Sequence, residues 1–203
     1  EVEECIALGY TEFRLYDDLF NINEKKILDF CDAIEQSTQT LPGIHINHVA
    51  IALNNHQVIE AIQSGVTLTP LTDFIQRSQL PHHPETIWVK RITAPYKMLI
   101  PSAVHFADSQ VGKPYNASFT DDTDNSFYCS QLITRSFYHA NHDQTVFQLI
   151  PMNFNNLQTH QPITAWQKYF DQRHEAVPQG VLGSNPMQLF QNPKLTPVHS
   201  YSN

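Results

Sequence analysis

Glycine is sparse, with 6 among 203 residues, and no glycine-rich loop of the kind that cradles phosphate occurs, so nucleotide chemistry has no support. Basic residues are few and scattered: 12 Lys and Arg against 20 Asp and Glu leave a net charge of -8. Without a basic cluster there is nothing to meet nucleic acid or an anionic membrane surface. Apolar runs fall well short of the about 20 residues a helix needs to cross a bilayer. Three cysteines, Cys5, Cys31 and Cys129, are too few and odd in number for a disulfide framework. Paired CxxC and HExxH spacings are missing, which argues against a structural zinc despite the 11 histidines, among them His82, His83, His139 and His142. Asp121, Asp122 and Asp124 lack the glycine and distal Glu of a calcium loop and read as a solvated loop. What is left is 41% hydrophobic and 11% aromatic, enough for a globular domain with a sizeable core. The chain opens at Glu1 with neither Met nor an apolar leader, so the compartment is open: cytoplasmic, or the cell envelope if a leader has been removed.

Hydrophobic spacing gives an α+β reading. Asp17 to Phe20 forms a short strand or turn, and Asn23 caps a helix whose stripe is Ile27, Phe30, Cys31 and Ile34. Residues 44–53 form a strand interrupted by His45, Asn47 and His48, and Asn54-Asn55-His56 turn it back into a second strand over 57–62. Gly65 marks the next turn and Val66 to Leu68 a third strand. Thr69 and Pro70 read as N-cap and first position of a helix to Ser78. A strand follows over 86–92, then a helix over 101–111 with Val104, Ala107 and Val111 on one face. A polar loop at 112–127 leads to a helix over 129–140, whose buried side is Leu132, Ile133, Ser136 and Phe137. Beyond Pro151 one aromatic helix falls near 163–170. With no internal repeat and no composition break, 1–203 reads as a single domain, with 151–203 an extension wrapping the core.

Three residues suggest chemistry. Cys129 follows a polar loop and opens a helix, where backbone amides stabilise a thiolate; the alternative is a buried structural cysteine. His48 interrupts an apolar strand, either as a base facing a helix start or as a core histidine bonded to a carbonyl. Glu60 is a carboxylate among Val58, Ile59, Ala61 and Ile62, and such a group is rarely buried unpartnered. Hairpin register separates the options. A two-residue loop puts Glu60 on the face opposite His48. A three-residue loop pairs 50 with 60 and makes 48 and 60 diagonal neighbours, about 7–8 Å apart at Cα. Glu60 would then orient the imidazole as the acid of a catalytic triad does.

The order His48, Glu60, Cys129 resembles the YiiX-like cysteine hydrolases, the circularly permuted branch of the NlpC-type papain-like superfamily. The resemblance spans most of the chain and rests on Asp18-Leu19-Phe20, Asn47-His48-Val49-Ala50-Ile51, Glu60-Ala61, Thr69-Pro70-Leu71, Gly112-Lys113-Pro114-Tyr115 with Phe119, and Tyr128-Cys129-Ser130. It implies a permuted papain-like fold, a mostly antiparallel sheet flanked by helices. It also implies Cys129 as nucleophile, His48 as base, Glu60 as orienting group, and Tyr115 near the oxyanion, with Tyr128 beside it. Gln131 stands where such proteins often carry Glu, Asn116 where Asp is frequent, and Ala50 where Gly is frequent. Tyr128 stands where non-permuted cell-wall peptidases usually carry Asp.

The expectation is a cysteine hydrolase that needs no cofactor and cleaves an amide bond through a thioester, in the superfamily at large on cell-wall peptides. Permuted relatives such as the lecithin retinol acyltransferase group instead handle acyl chains, so a lipid or acyl-amide hydrolase or acyltransferase is a second reading. A non-catalytic ligand-binding module is a third. The expected partner is a small molecule, peptide or acyl-amide, with the oligomeric state left open.

Overall fold

The computed structural model describes residues 47–78, 85–120, 123–156 and 159–202. The expected elements at 17–20 and 23–36 lie outside the described residues. The chain divides into two compact units, one made of Glu1–His45 and Pro151–Leu182, the other of Ile46–Ile150 and Gly183–Asn203.

The larger unit begins with a three-stranded antiparallel meander: β1 (Ile51–Ala52), β2 (Gln57–Ile62) and β3 (Gly65–Pro70), in the order β1-β2-β3. β1 pairs Ile51 with Ile59 and Ala52 with Val58, a register that continues to 50 opposite 60. The loop therefore holds three residues, and its chemistry explains why. The Asn54 side chain accepts from the His56 amide at 2.8 Å, and the Leu53 amide donates to the Gln57 carbonyl at 3.0 Å. An Asn that bonds its own backbone two residues on supplies the turn locally. Ladder pairing starts only at Ile51, so Asn47 to Ala50 lead into the strand instead of belonging to it, shorter than the pattern predicts.

β3 runs through Pro70, and helix α1 is Leu71–Ser78. Thr69 is thus a strand residue and not the expected cap. The β2–β3 ladder continues through Val58↔Thr69 and Gln57↔Pro70, which delays the helix start to Leu71, and the Thr69 hydroxyl donates to Glu60. β4 (Glu85–Ile92) matches the expected strand, and a 3-10 turn at Tyr96–Leu99 then feeds α2 (Ile100–Ser109). The buried face of α2 is Ala103 and Ala107, one turn apart, while Val104 is only half-buried. Val111, 39% exposed, lies beyond the helix, which corrects the expected face. Small residues on this stripe fit the close packing of α2 against α3 (Cys129–Ala140).

α3 lies between two apolar clusters. Ile133 and Phe137 join Ile92, Ala103, Val146, Phe147 and Leu189; Leu132 joins Ile59, Ala61, Val66, Ala107 and Phe127. Every residue from Cys129 to Thr134 is buried, so the helix start is set deep between sheet and helix. Its buried hydroxyls are satisfied internally: Ser130 donates to the Ser184 carbonyl at 3.0 Å and Ser136 to the Leu132 carbonyl at 2.6 Å.

In the smaller unit α4 (Thr164–Gln172) forms where the aromatic pattern places it, with Ile163 as its N-cap. Phe170 is fully buried there, edge-on to Phe154 at 5.6 Å between ring centroids. The chain then returns to the larger unit as α5 (Pro186–Phe190) and β5 (Leu195–Ser202), which pairs antiparallel with β4 from Ile92↔Leu195 to Glu85↔Ser202.

One glycine is structurally required. Gly65 has φ +114°, and a Cβ there would lie 2.5 Å from the Lys113 carbonyl oxygen. That carbonyl accepts from the Val66 amide at 2.8 Å, and the Gly112 amide donates back to the Val66 carbonyl at 2.8 Å. Gly65→Ala therefore meets both an unfavourable backbone conformation and a backbone clash. It is expected to lower the unfolding free energy by about 2 kcal/mol or more, read as a lower urea midpoint at unchanged slope.

Candidate active site

The site is built from five segments of the larger unit: the entry to β1, strands β2 and β3, helix α1 and the start of α3. Glu60, central in β2, is completely buried. The three-residue hairpin loop turns its side chain to the same face as His48, and His48 Nε2 lies 2.7 Å from Glu60 Oε2. A carboxylate out of water needs compensating donors, and two more are present. The Thr69 hydroxyl donates to Oε1, and the Arg77 guanidinium donates to Oε2. Thr69 reaches it because Glu60 pairs with Thr67 across β2–β3, which makes Thr69 a diagonal neighbour on the same face. Arg77 comes from the last turn of α1, where Phe74 sits three residues earlier on the same face. The guanidinium lies 5.3 Å from the Phe74 ring centroid, and that ring is 6.1 Å from the imidazole.

These contacts set the charges. Burial raises the Glu60 carboxyl, but hydrogen bonds from His48 and Arg77 dominate and bring it from 4.5 down to about 2. For His48, burial favours the neutral ring. Hydrogen bonding to the Cys129 and Glu60 side chains, with their charge, overrides burial and raises the imidazole from 6.5 to about 9. His48 is therefore a cation at neutral pH, 17% exposed and bonded to a fully buried anion.

Cys129 is the first residue of α3, 8% exposed and not in a disulfide. Tyr128 precedes it in extended conformation as N-cap, and its amide donates to Gln131 Oε1 at 3.2 Å. The same oxygen accepts from Asn116 Nδ2 at 2.9 Å. Asn116 and Gln131, read above only as departures from the family pattern, thus form a buried amide pair that ties the preceding loop to the first turn of the helix. Tyr128 is 5% exposed, and its hydroxyl accepts from the Ser184 amide at 3.1 Å; burial raises its phenol. Tyr115 bridges in parallel to Phe127 and packs edge-on to Phe119 at 6.4 Å, and Phe119 in turn meets Tyr128 at 5.3 Å. Phe119 holds φ +59°, a left-handed conformation that is costly for a bulky residue.

Of the five residues singled out in the sequence, His48 and Glu60 are in direct contact, and the Cys129 side chain is among the groups that raise the His48 imidazole. Tyr128 is its neighbour in the chain, and Tyr115 reaches Tyr128 through Phe119. Thr69, Phe74 and Arg77 were not legible as site residues: nothing local marks a helix-terminal arginine as the partner of a strand carboxylate. Asp124 is a further correction. Instead of belonging to a solvated loop, it accepts two bonds from Arg135, both 2.6 Å, and lies 2.8 Å from His139 Nε2. This pins the loop that leads to Cys129 onto α3.

The pH dependence of stability has a defined sign. A lowered Glu60 contributes stability that is present above about 4.5 and lost as pH falls toward about 2. A raised His48 contributes stability that is present below 6.5 and lost as pH rises through about 9. Urea unfolding between pH 2 and 7 is expected to show a slope that is shallower in Glu60→Gln, with about 3 kcal/mol as the upper scale of the difference. Equal slopes in both proteins would contradict this.

The comparisons with known proteins identify the family and the fold. Residues 26–199 match the family model described as permuted papain-like amidase enzyme, YaeF/YiiX, C92 family. The fold is similar to the crystal structure of metalloprotein yiiX from Escherichia coli O157:H7, with a TM-score of 0.57 and 21% identity over 83% of this chain and 88% of that one. No curated protein matches the chain. The chain belongs to the YaeF/YiiX family of permuted papain-like amidases, and its α+β architecture fits that fold.

Proposed function

We propose that the protein is a cysteine amidase in which Cys129, His48 and Glu60 act as nucleophile, base and orienting acid. The observation that carries this reading is His48 bonded at 2.7 Å to a fully buried Glu60, with the Cys129 side chain on the helix start among the groups that hold the proton on the imidazole. With Nε2 committed to Glu60, Nδ1 is the ring nitrogen that serves the thiol.

His48 holds the thiol proton in a thiolate–imidazolium pair with Cys129, and the sulfur attacks the carbonyl carbon of the scissile amide. The carbonyl oxygen becomes an oxyanion facing the amides at the start of α3, which lie at the positive end of the helix dipole. Tyr115 assists it, and Tyr128 borders the same space while fixing the helix start. Collapse of the intermediate breaks the C–N bond, and the imidazolium hydrogen gives its proton to the departing amine. Water then attacks the thioester, with His48 taking its proton. The acid leaves and the thiol is restored. The structurally similar yiiX is described as a metalloprotein. Among the described residues no group of three or more His, Cys, Asp and Glu side chains is arranged to hold a metal ion, and no step here runs through one.

Two measurements test the reading. Iodoacetamide should label Cys129 faster than Cys5 and Cys31 at neutral pH, and the advantage should vanish in His48→Ala. Against a panel of acyl and peptidyl anilides, including cell-wall peptide sequences, Cys129→Ala and His48→Ala should lower kcat/KM by at least about a thousandfold, and Glu60→Gln by roughly a hundredfold. Turnover that persists in Cys129→Ala would remove this assignment.

A further inference from the structure

Glu60 carries more partners than an orienting acid requires. One oxygen, Oε2, faces both the His48 imidazole and the Arg77 guanidinium, and the other accepts from Thr69. In the reaction proposed above His48 alternates between cation and neutral ring. Each time it is neutral, a Glu60 with no other cation would be a buried anion whose compensating charge has gone, a state strongly disfavoured in a low-dielectric setting. Arginine never gives up its proton in this range. Its guanidinium lies over the Phe74 ring, 5.3 Å from the centroid, and with 31% side-chain exposure it keeps an open edge to solvent while its donor reaches inward.

We propose that Arg77 is a positioning residue of the site: a permanent cation that shares Glu60 Oε2 with His48, keeping the carboxylate ionised and aimed at the imidazole through both states of the ring. Thr69 completes the arrangement by holding Oε1, so the carboxylate cannot rotate away when the imidazole loses its proton. The inference rests on the Cys129–His48–Glu60 reading.

A consequence separates this role from simple scaffolding. The charged groups facing His48 are Glu60 from β2, Cys129 from α3 and, through the shared oxygen, Arg77 from α1. Arg77 draws on the same negative charge that holds the proton on the imidazole. Its presence makes the ring less basic than Glu60 alone would, and eases release of the proton to a leaving amine.

Arg77→Met keeps an unbranched apolar side chain beside Phe74 and removes the charge together with the donor to Glu60, and Arg77→Lys restores both a charge and a donor. Histidine resonances followed by NMR should show His48 titrating about one unit higher in Arg77→Met than in the unaltered protein, and close to the unaltered value in Arg77→Lys. The pH profile of iodoacetamide labelling at Cys129 should shift in the same direction. On anilide substrates kcat should fall about tenfold with KM unchanged. If Arg77→Met does not fold, Arg77→Gln takes its place with the same expectations. An unmoved or lowered His48 midpoint in the folded variant would overturn the inference, as would a rise in KM with kcat preserved, which marks a substrate-binding arginine. The underlying reading is tested separately: if Cys129→Ala or His48→Ala leaves turnover intact, that reading fails whatever Arg77 does. If both abolish turnover while the His48 midpoint is unmoved in Arg77→Met, only the role given to Arg77 fails.

Discussion

A single buried negative charge organises the larger unit. Glu60 has no solvent contact, and a carboxylate in that position is tolerable only where donors converge on it. The converging groups come from three different elements: the segment entering β1, strand β3 and the end of helix α1. Satisfying one carboxylate therefore ties together the segment entering β1, strand β3 and the last turn of α1. The raised basicity of His48 is the other side of the same constraint.

The second organising element is the helix that begins at Cys129. Its neighbouring residues Leu132 and Ile133 enter separate apolar clusters, so the helix is gripped from two sides and has little freedom to slide or roll. The Asn116–Gln131 pair and the Asp124–Arg135 pair fasten the incoming loop to that helix on opposite sides of the sulfur in sequence. Both keep the start of the helix rigid, as preorganised donors at an active site require.

Much of this was legible before any coordinates. Period-two and helical spacing located β2, β4, α3 and α4 to within two or three residues, because each has one face that must be buried. The pairing of His48 with Glu60 came down to one loop length, and the Asn54 side chain that decides it is visible in the sequence, although its choice between two turn geometries is not. Threonine before proline is a good cap signal in isolation, and only pairing with another strand shows that the ladder runs on through Thr69 and Pro70. Val111 misled because a regular stripe does not reveal that the helix ends at Ser109. Arg77 and Asp124 were beyond reach for a common reason. A charged residue's partner is set by the folded path of the chain, and no local pattern encodes a contact seventeen or eleven positions away. The family's residue pattern supplied the order of the site, but not the arginine behind it.

The junction at Gly65 links the two halves of the site without using any side chain. Two reciprocal amide–carbonyl bonds between Val66 and the 112–113 segment rivet the hairpin that bears Glu60 to the loop that leads toward Cys129. Backbone rivets are indifferent to side-chain replacement, so the surface around the sulfur is free to diversify in evolution while the spacing between carboxylate and sulfur stays fixed. The one exception is the glycine itself, where even a methyl group would prise the two segments apart.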